Sequence, residues 1–431
     1  MLSFDQCPFH QQYPFAVIGL ALELVLDAAV SLRGVSAVLQ VFQKWLPALD
    51  RIPSPNGGQL WLLRIGLYEI LRPKEKANDR VWLIDHTIQL GTRKCLVVVS
   101  CRLAAWQAQP RPLEHNDLEV LALEPVTVST GSVVQAQLRH LAKQVGVPSL
   151  IVSDHGSDVK CGIAAYCQEQ PQTRAVHDIA HATALVVKRE LLADARWTSY
   201  LKELGRVKRR LQQTALACLT PPRPKAKARY MNLEALVEWG VKTLAWVDEP
   251  RDLGGVPIPV DLIREKLGWL ATYREALPEW QEVMTVVSTT LTYVRTEGYH
   301  RRASRELAAQ LQGAVKSQLG QRVRAGLVQV VAREGKKAKR GERLLGSSEC
   351  LESLIGKGKR LEGQQSKSGF TKMVLGMAAA VVKPTQDFLA QAFATVKVAH
   401  VWAWCEAKLG RSVQAQRIQA FESGQNGTEL G

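Results

Sequence analysis

The hydrophobic period changes along the chain, and this change limits the possible folds more than any other feature. Apolar residues recur at helical spacing before residue 76, and short strand-like runs follow. These runs cover residues 81–87, 94–100, 118–123, 149–153 and 174–179, with a helical stretch at 131–145. Three strands, a helix, a strand and more helix are an α+β or α/β order built on one mixed sheet, and of these we predict an α+β fold.

The first 75 residues predict a helical region. One helix face is formed by Val35, Val38, Leu39, Phe42, Trp45 and Leu46, and a second by Leu60, Leu63, Leu67, Ile70 and Leu71. The Pro- and Gly-rich segment 53–58 is expected to break the chain between the two helices. Two interpretations stay open, a DNA-binding helix-turn-helix and a short helical bundle without a binding role.

After the predicted sheet, the pattern is almost wholly helical from 186 to 345, with interruptions at 221–224 and 254–257. A last helical segment begins near Ser347. We therefore predict four parts: a helical region over 1–75, a sheet-containing core over 76–185, a helical insertion over 186–345, and a completion of the core over 346–420.

Charge is concentrated in two segments of an otherwise ordinary globular composition. The chain has 56 Lys and Arg against 40 Asp and Glu, a net charge of +16, and nearly all of this excess lies in residues 188–229 and 333–372. Each segment alone is consistent with a solvated helix face, but two of them favour contact with phosphates. The candidate DNA-binding residues are Lys208, Arg209, Arg210, Lys336, Lys337, Lys339, Arg340, Lys357, Lys359 and Arg360.

Cysteine usage and apolar runs indicate the compartment. The eight cysteines include no Cys-x-x-Cys pair, which argues against a zinc ribbon or a disulfide scaffold. The N-terminus lacks the basic segment of a signal peptide, and the apolar run at 373–382 is too short to cross a bilayer. We therefore expect a soluble intracellular protein that does not contact membranes.

Three carboxylates stand out by their position in the predicted elements. Asp85 lies inside the first apolar strand, Asp154 closes the fourth, and Glu352 lies on the last helical segment. Each has an ordinary structural interpretation, as a capped strand end, a turn or an exposed ion-paired residue. Together, two strand carboxylates of one sheet and a helical Glu form an oxygen ligand set for Mg²⁺ or Mn²⁺. Two such ions are suited to in-line displacement at a phosphodiester.

Four segments of the sequence resemble bacterial insertion-sequence transposases of the DDE type. They are Trp-Leu-Ile-Asp-His-Thr (82–87), Val-Ser-Asp-His-Gly-Ser-Asp (152–158), His-Asp-Ile-Ala-His (177–181) and Ser-Ser-Glu-Cys-Leu-Glu-Ser-Leu-Ile-Gly-Lys (347–357). The resemblance runs in order over most of residues 30–380. It implies an RNase H-like catalytic core with Asp85, Asp154 and Glu352 as the metal-binding catalytic triad, and a helical domain inserted before the last acidic residue. Glu349, three residues before Glu352, stays an alternative ligand.

The resemblance also implies an activity and its partners. We expect metal-dependent cleavage at element ends and strand transfer into target DNA, using Mg²⁺ or Mn²⁺, with two ions at the site. The partners would be double-stranded DNA, in the form of terminal inverted repeats and target, and a second copy of the chain in a homodimer. The location would be the bacterial cytoplasm, on the nucleoid.

Other functions stay open. An RNase H-like nuclease or resolvase would cut without joining, and a transposase-derived DNA-binding protein would have no catalysis at all. A metal-dependent hydrolase of small molecules is disfavoured by the positive charge. Asp178, flanked by His177 and His181, does not form a His-Glu-x-x-His motif, so we interpret these residues as structural.

Overall fold

The computed structural model describes residues 2–46, 49–90, 93–223, 233–249, 259–364, 371–410 and 413–425. The chain forms two compact units. Unit 1 comprises Met1–Ala175 and Ser348–Gly431, and unit 2 comprises Val176–Ser347. The four-part division expected from the sequence is finer than this and stays a prediction.

The strands are β1 (Arg80–Leu90), β2 (Arg93–Arg102), β3 (Glu119–Val126), β4 (Leu150–Ser153) and β5 (Arg174–His177). The helices of the N-terminal half are α1 (Phe15–Leu26), α2 (Leu32–Gln43), α3 (Pro55–Leu71), α4 (Leu103–Ala108), α5 (Gly131–Val145), α6 (Ser157–Glu169), α7 (Ile179–Leu192) and α8 (Ala195–Leu211). Those that follow are α9 (Glu234–Asp248), α10 (Val260–Leu267), α11 (Ala276–Glu297), α12 (Ala303–Gln310), α13 (Gln318–Gly335), α14 (Glu349–Gly363), α15 (Leu375–Ala379), α16 (Gln386–Thr395), α17 (Val398–Leu409) and α18 (Val413–Gln425).

The five strands form one sheet in the order β3-β2-β1-β4-β5. β1 pairs antiparallel with β2, and β2 pairs antiparallel with β3, whereas β1 and β4 are parallel. The α+β class and the mixed sheet expected from the sequence are therefore confirmed. The crossover from β3 to β4 passes through α5, as a connection to a parallel strand requires.

One face of the sheet is covered by α5 and α6. Trp82 and Ile84 of β1 point into this layer, where they join apolar side chains of β2, β3 and both helices in one buried cluster. Because successive strand residues point to opposite faces, Val81, Leu83 and Asp85 belong to the other face. That face is covered by helices from the distant segment of unit 1, since α14 packs against β1.

The third helix is the centre of the second layer of unit 1. All residues from Trp61 to Glu69 are buried, and α3 packs against α1, α2, β3, α15, α16 and α17. The chain break expected at 53–58 is wrong for residues 55–58, because α3 begins at Pro55. Ser54 caps this helix, and its side chain accepts a hydrogen bond from the N–H of Gly57. Proline at the first helical position after a serine cap is a helix start signal.

The second helix, by contrast, exposes part of its apolar face. Val35 and Leu39 are buried, but Phe42 is 39% exposed and Trp45, beyond the end of the helix, is 78% exposed. Among the helices of the region 1–75, α2 therefore retains an accessible surface, while most residues of α1 and the centre of α3 are buried. The helix-turn-helix interpretation of this region stays a prediction.

The regular secondary structure in the described residues of unit 2 is helical, apart from its share of β5 and an isolated bridge. Its largest aromatic cluster contains Trp197, Tyr200 and Trp280, which are fully buried and in ring contact. The expected interruption is present at 221–223, whereas position 224 and the one at 254–257 lie outside the described residues. None of the helices in the described part of the chain has the length and hydropathy needed to span a membrane.

Candidate active site

The two predicted strand carboxylates lie side by side at the carboxyl edge of the parallel pair. Ile84 of β1 is in register with Ser153 of β4, and each is followed directly by an aspartate. Neighbouring strands lie about 4.8 Å apart, so Asp85, in the middle of β1, and Asp154, directly after β4, lie at the same level of the sheet. The structure therefore brings together two residues that are 69 positions apart in the sequence.

Each aspartate is oriented by a backbone N–H group. Oδ1 of Asp85 accepts from the N–H of His86 at 2.6 Å, and Oδ1 of Asp154 accepts from the N–H of Gly156 at 2.9 Å. The turn after Asp154 contains His155 with a φ of +62°, in the left-handed region, and Gly156 caps the N-terminus of α6. Both aspartates are half-buried. The backbone hydrogen bond to each carboxylate fixes one of its two oxygens.

The predicted third ligand lies on the helix that packs against β1. Glu349 and Glu352 are both in the first turn of α14, where Glu349 is exposed and Glu352 is half-buried. Within the described part of unit 1, no three His, Cys, Asp or Glu side chains have their ligand atoms within 4.8 Å of one another. The structure thus pairs Asp85 with Asp154 but does not gather Glu352 into a compact triad with them, and its role stays a prediction.

A second polar cluster lies at the same edge, on the α5 and α6 face of the sheet. Asp158 in the first turn of α6 accepts a hydrogen bond from Nζ of Lys94 at 2.8 Å. His86 lies between them and the start of α5, with Nδ1 3.6 Å from Asp158 Oδ2 and Nε2 3.2 Å from the hydroxyl of Ser129. We call these four residues the Lys94–Asp158 cluster.

The electrostatics of this cluster fix two protonation states. Burial alone raises the pKa of Asp158, but the Lys94 ammonium, the Ser129 hydroxyl and His86 outweigh it and lower the pKa to about 2. Burial and the charge of Lys94 lower the pKa of His86, against the opposing charges of Asp158 and Asp154. At neutral pH the site therefore holds an ionised Asp158 and a neutral imidazole at His86.

The donor set at this edge fits a hard divalent cation. Mg²⁺ and Mn²⁺ prefer carboxylate oxygens and keep several positions for water and substrate phosphate. Asp85 and Asp154 offer two carboxylates on one level of the sheet, and no thiol lies among them. Lys94 supplies a positive charge within the same edge, beside Asp158.

The predicted DNA-binding residues lie in three places. Lys208, Arg209 and Arg210 form the last turn of α8, where Arg209 and Arg210 are exposed. The second group surrounds the end of α13, where Lys336, Lys339 and Arg340 are exposed and Lys337 forms an ion pair with Glu334 at 2.6 Å.

The third group lies on α14 and is partly engaged within unit 1. Lys357 pairs with Asp27 at 3.3 Å, and Nη2 of Arg360 donates to the carbonyls of Val25 and Leu26 at the end of α1. Lys359 is exposed. Two of these three cations therefore hold α14 against α1, and contact of the three with DNA stays a prediction.

Sequence reasoning did not assign His86, Lys94, Ser129 or Asp158 to the site. The signals were present but weak, since Asp158 repeats an acidic residue after Asp154 and Lys94 begins an apolar strand. Asp178 caps α7 by accepting a hydrogen bond from the backbone N–H of His181 at 2.9 Å, a structural role of the kind expected from the sequence.

Comparison with known proteins gives little further information. No family model matches the chain, and no curated protein matches it. One similar solved structure is the "Drosophila P element transposase strand transfer complex", with a TM-score of 0.43 and 11% sequence identity over 88% of this chain and 94% of that chain. A likeness at this level assigns no function, so the assignment depends on the residues of this chain.

Proposed function

We propose that the protein is a DNA transposase, which cleaves DNA at element ends and transfers the freed strand into target DNA. The observation that carries this proposal is the position of Asp85 and Asp154, which directly follow Ile84 and Ser153, the last register pair of the parallel strands β1 and β4. The mixed sheet, with three antiparallel strands beside a parallel neighbour, supports an RNase H-like core. The net charge of +16 supports DNA as the substrate.

In this proposal Asp85 and Asp154 hold the divalent metal, and Glu352 completes the ligand set from α14. Bound Mg²⁺ or Mn²⁺, one ion or two, would neutralise phosphate charge and lower the pKa of water at the site. The backbone N–H groups of His86 and Gly156 hold one oxygen of each aspartate in place. This preorientation reduces the rearrangement needed when substrate arrives.

The Lys94–Asp158 cluster would support the same site from the other face of the sheet. Lys94 is 29% exposed at the edge, so its ammonium can face an incoming phosphate while Asp158 holds it in position. Because His86 is neutral, Lys94 is the residue of this cluster that presents a positive charge to a phosphate. We assign these residues to substrate positioning, next to the two metal-binding aspartates.

The remaining parts of the proposal concern partners. The predicted basic groups of α8, α13 and α14 would hold the DNA backbone, and the N-terminal helices would contact the terminal repeats. Two element ends must be handled together, so the active form would be a homodimer on DNA. The protein would act in the bacterial cytoplasm, at the nucleoid.

The test uses a DNA fragment that contains the gene with several hundred flanking base pairs on each side. Purified protein with Mg²⁺ is expected to nick this fragment at defined ends and to join those ends to a supercoiled plasmid. Asp85→Ala and Asp154→Ala should lose both reactions, by roughly a thousandfold or more, because electrostatic stabilisation by the metal is lost. Asp50→Ala, at an aspartate whose side chain is 91% exposed, is the matched control.

Two results would redirect the assignment. Cutting of branched DNA or RNA–DNA hybrid without joining would identify the nuclease or resolvase. Equal DNA binding and no reaction in the wild type and in Asp85→Ala would contradict catalysis and leave a DNA-binding protein.

A further inference from the structure

Two basic segments of unit 2 lie against each other although they are more than 30 residues apart in sequence. Nε of Arg301 donates to the carbonyl of Ala338 at 3.0 Å. Gly335 packs directly on the backbone of His300, since a Cβ at position 335 would lie 2.4 Å from the His300 carbonyl oxygen. Only glycine allows this approach, which joins the loop before α12 to the end of α13.

This junction collects cationic side chains from both segments on one surface. The exposed cations are Arg301, Arg302 and Arg305 from the first segment, and Arg333, Lys336, Lys339 and Arg340 from the second. We call them the 301–340 surface. The first three were not predicted to bind DNA, because the sequence does not show that they adjoin the end of α13.

Most of these cations form no ion pair with another described residue of the protein. Within the described residues, Arg302, Arg305, Lys336, Lys339 and Arg340 form no ion pair. The nearby Glu334 is 1% exposed and is engaged by Arg333 and Lys337. Clustered like charges repel one another, and this repulsion is relieved when an anionic partner binds.

The chemistry of the surface distinguishes between anionic partners. A single strand is held by aromatic side chains that stack on its bases, but Tyr293 and Tyr299 of this region are buried. A membrane surface is held by exposed apolar anchors as well as by cations, and none of the large exposed apolar side chains in the described residues falls within 298–345. Cations without aromatic or apolar anchors fit the phosphate backbone of a duplex.

We propose that the 301–340 surface binds the phosphate backbone of double-stranded DNA without reading its sequence. The inference rests on the proposed function only in taking DNA as the substrate. It adds Arg301, Arg302 and Arg305 to the binding residues and gives unit 2 a role of its own. Because binding by this surface needs no metal, it is separable from the chemistry at Asp85 and Asp154.

The experiment measures binding of full-length protein to a labelled 40-base-pair duplex of arbitrary sequence, in EDTA, across a series of salt concentrations. The variant Arg302→Ala/Arg305→Ala/Lys339→Ala/Arg340→Ala is expected to bind at least roughly tenfold more weakly at low salt. Its plot of log K against log salt should be shallower by about 3 to 4, because each lost phosphate contact removes about 0.9 from the slope. For the double variant Arg302→Ala/Arg305→Ala, the decrease in this slope should be about half as large.

The matched control is Arg206→Ala/Lys242→Ala/Lys266→Ala/Arg274→Ala. It removes the same charge from the same unit, but at cations that pair with Glu203, Glu238, Glu265 and Asp248. Circular dichroism and thermal melting check that the fourfold variant, the fourfold control and the double variant all fold. Equal slopes for the wild type and the folded 302/305 variant would overturn the proposal.

Two further outcomes are informative. Unchanged duplex binding with loss of binding to phosphatidylserine vesicles would overturn the proposal in favour of a membrane surface. A wild type that binds duplex through this surface but never cuts or joins DNA would contradict the proposed transposase and leave the surface intact.

Discussion

Nζ of Lys94 donates a hydrogen bond to Oδ2 of Asp158 at 2.8 Å, across 64 residues of sequence. The pair joins the start of β2 to the first turn of α6, and it is mostly shielded from solvent. It therefore couples the position of one end of the sheet to the helix that follows Asp154.

Replacing this lysine tests that coupling. Lys94→Met should raise the pKa of Asp158 from about 2 toward the ordinary aspartate value, because the ammonium that favours the carboxylate is gone. At pH 7 the free energy of unfolding should fall by about 1–2 kcal/mol, as measured by urea denaturation. Lys143→Met, at an exposed lysine of α5, is the control.

The pH dependence has a defined sign. A carboxylate whose pKa is lowered on folding stabilises the protein above its unfolded pKa, near 4, and this stabilisation is lost as the pH falls through the folded value of about 2. The difference between the wild type and Lys94→Met should therefore be constant from pH 7 to 5 and shrink below pH 4. A difference that grows on acidification would contradict the ion pair.

Metal binding should be visible without any DNA. Mn²⁺ at 100 times its dissociation constant would stabilise the folded protein by about 2.7 kcal/mol, which is a rise of several degrees in Tm. Asp154→Asn should lose this rise, since the amide provides only a weak, neutral ligand. The measurement is a thermal melt with and without Mn²⁺, and Asp50→Asn should behave like the wild type. An unchanged rise in Asp154→Asn would place the metal elsewhere.

Arg64 connects α3 to the end of α16 inside unit 1. Its Nε and Nη2 donate to the carbonyls of Val396 and Phe393 at 2.7 and 2.9 Å, and its guanidinium lies 4.5 Å from the Phe393 ring. Arg64→Met should destabilise the protein by about 2–4 kcal/mol in urea denaturation, because buried carbonyls lose their donors. Arg64→Lys should recover only part of this, since an ammonium does not reproduce the guanidinium geometry. Equal stability of Arg64→Met and the wild type would contradict a structural role.

Gly66 marks the closest approach between α3 and α15. A Cβ at this position would lie 2.0 Å from the carbonyl oxygen of Leu375, so the two helices would have to separate. Gly66→Ala should therefore lower the free energy of unfolding by more than about 2 kcal/mol. Gly356→Ala, inside α14 and with no atom within 4 Å of the added Cβ, should raise it by up to about 1 kcal/mol. Urea denaturation should therefore show a lower free energy of unfolding for Gly66→Ala and a higher one for Gly356→Ala than for the wild type.

The sequence predicted the sheet well because its strands carry their own pattern. The runs at 81–87, 94–100 and 149–153 correspond to β1, β2 and β4, with ends that differ by a few residues. Their apolar composition follows from burial on both faces of a covered sheet. The proximity of Asp85 and Asp154 then followed from the parallel register of β1 and β4, in which Ile84 lies opposite Ser153.

The third helix shows where periodicity was insufficient. The expected apolar face placed Leu71 inside, but Leu71 is 57% exposed, whereas Trp61, Leu62 and Ile65, outside that face, are buried. A helix that is apolar all round indicates burial on every side, and one-sided counting does not detect it. The chain distant in sequence, from α15 to α17, provides the packing that decides the outcome.

The Lys94–Asp158 cluster and the 301–340 surface were not predictable for a different reason. Both depend on contacts between residues that are far apart in sequence. The sequence around each contacting residue has no pattern that marks it as part of a site. An exposed Arg302 looks like any solvated cation until the approach of Gly335 to His300 brings the end of α13 beside it. The spacing of residues in the sequence predicts which side chains share one face of a single helix or strand. The cluster and the surface are each formed by side chains from different helices, strands and loops.

Unit 1 is assembled from both ends of the chain, and this has a consequence for synthesis. The ribosome makes β1 and β4 first, and it must then add unit 2, about 170 residues, before α14 exists. At about 5–20 residues per second this takes roughly 10–35 s. During that interval the sheet carries both aspartates but lacks its covering helix and Glu352. The proposed metal site, with Asp85, Asp154 and Glu352, would therefore be complete only when translation has nearly finished.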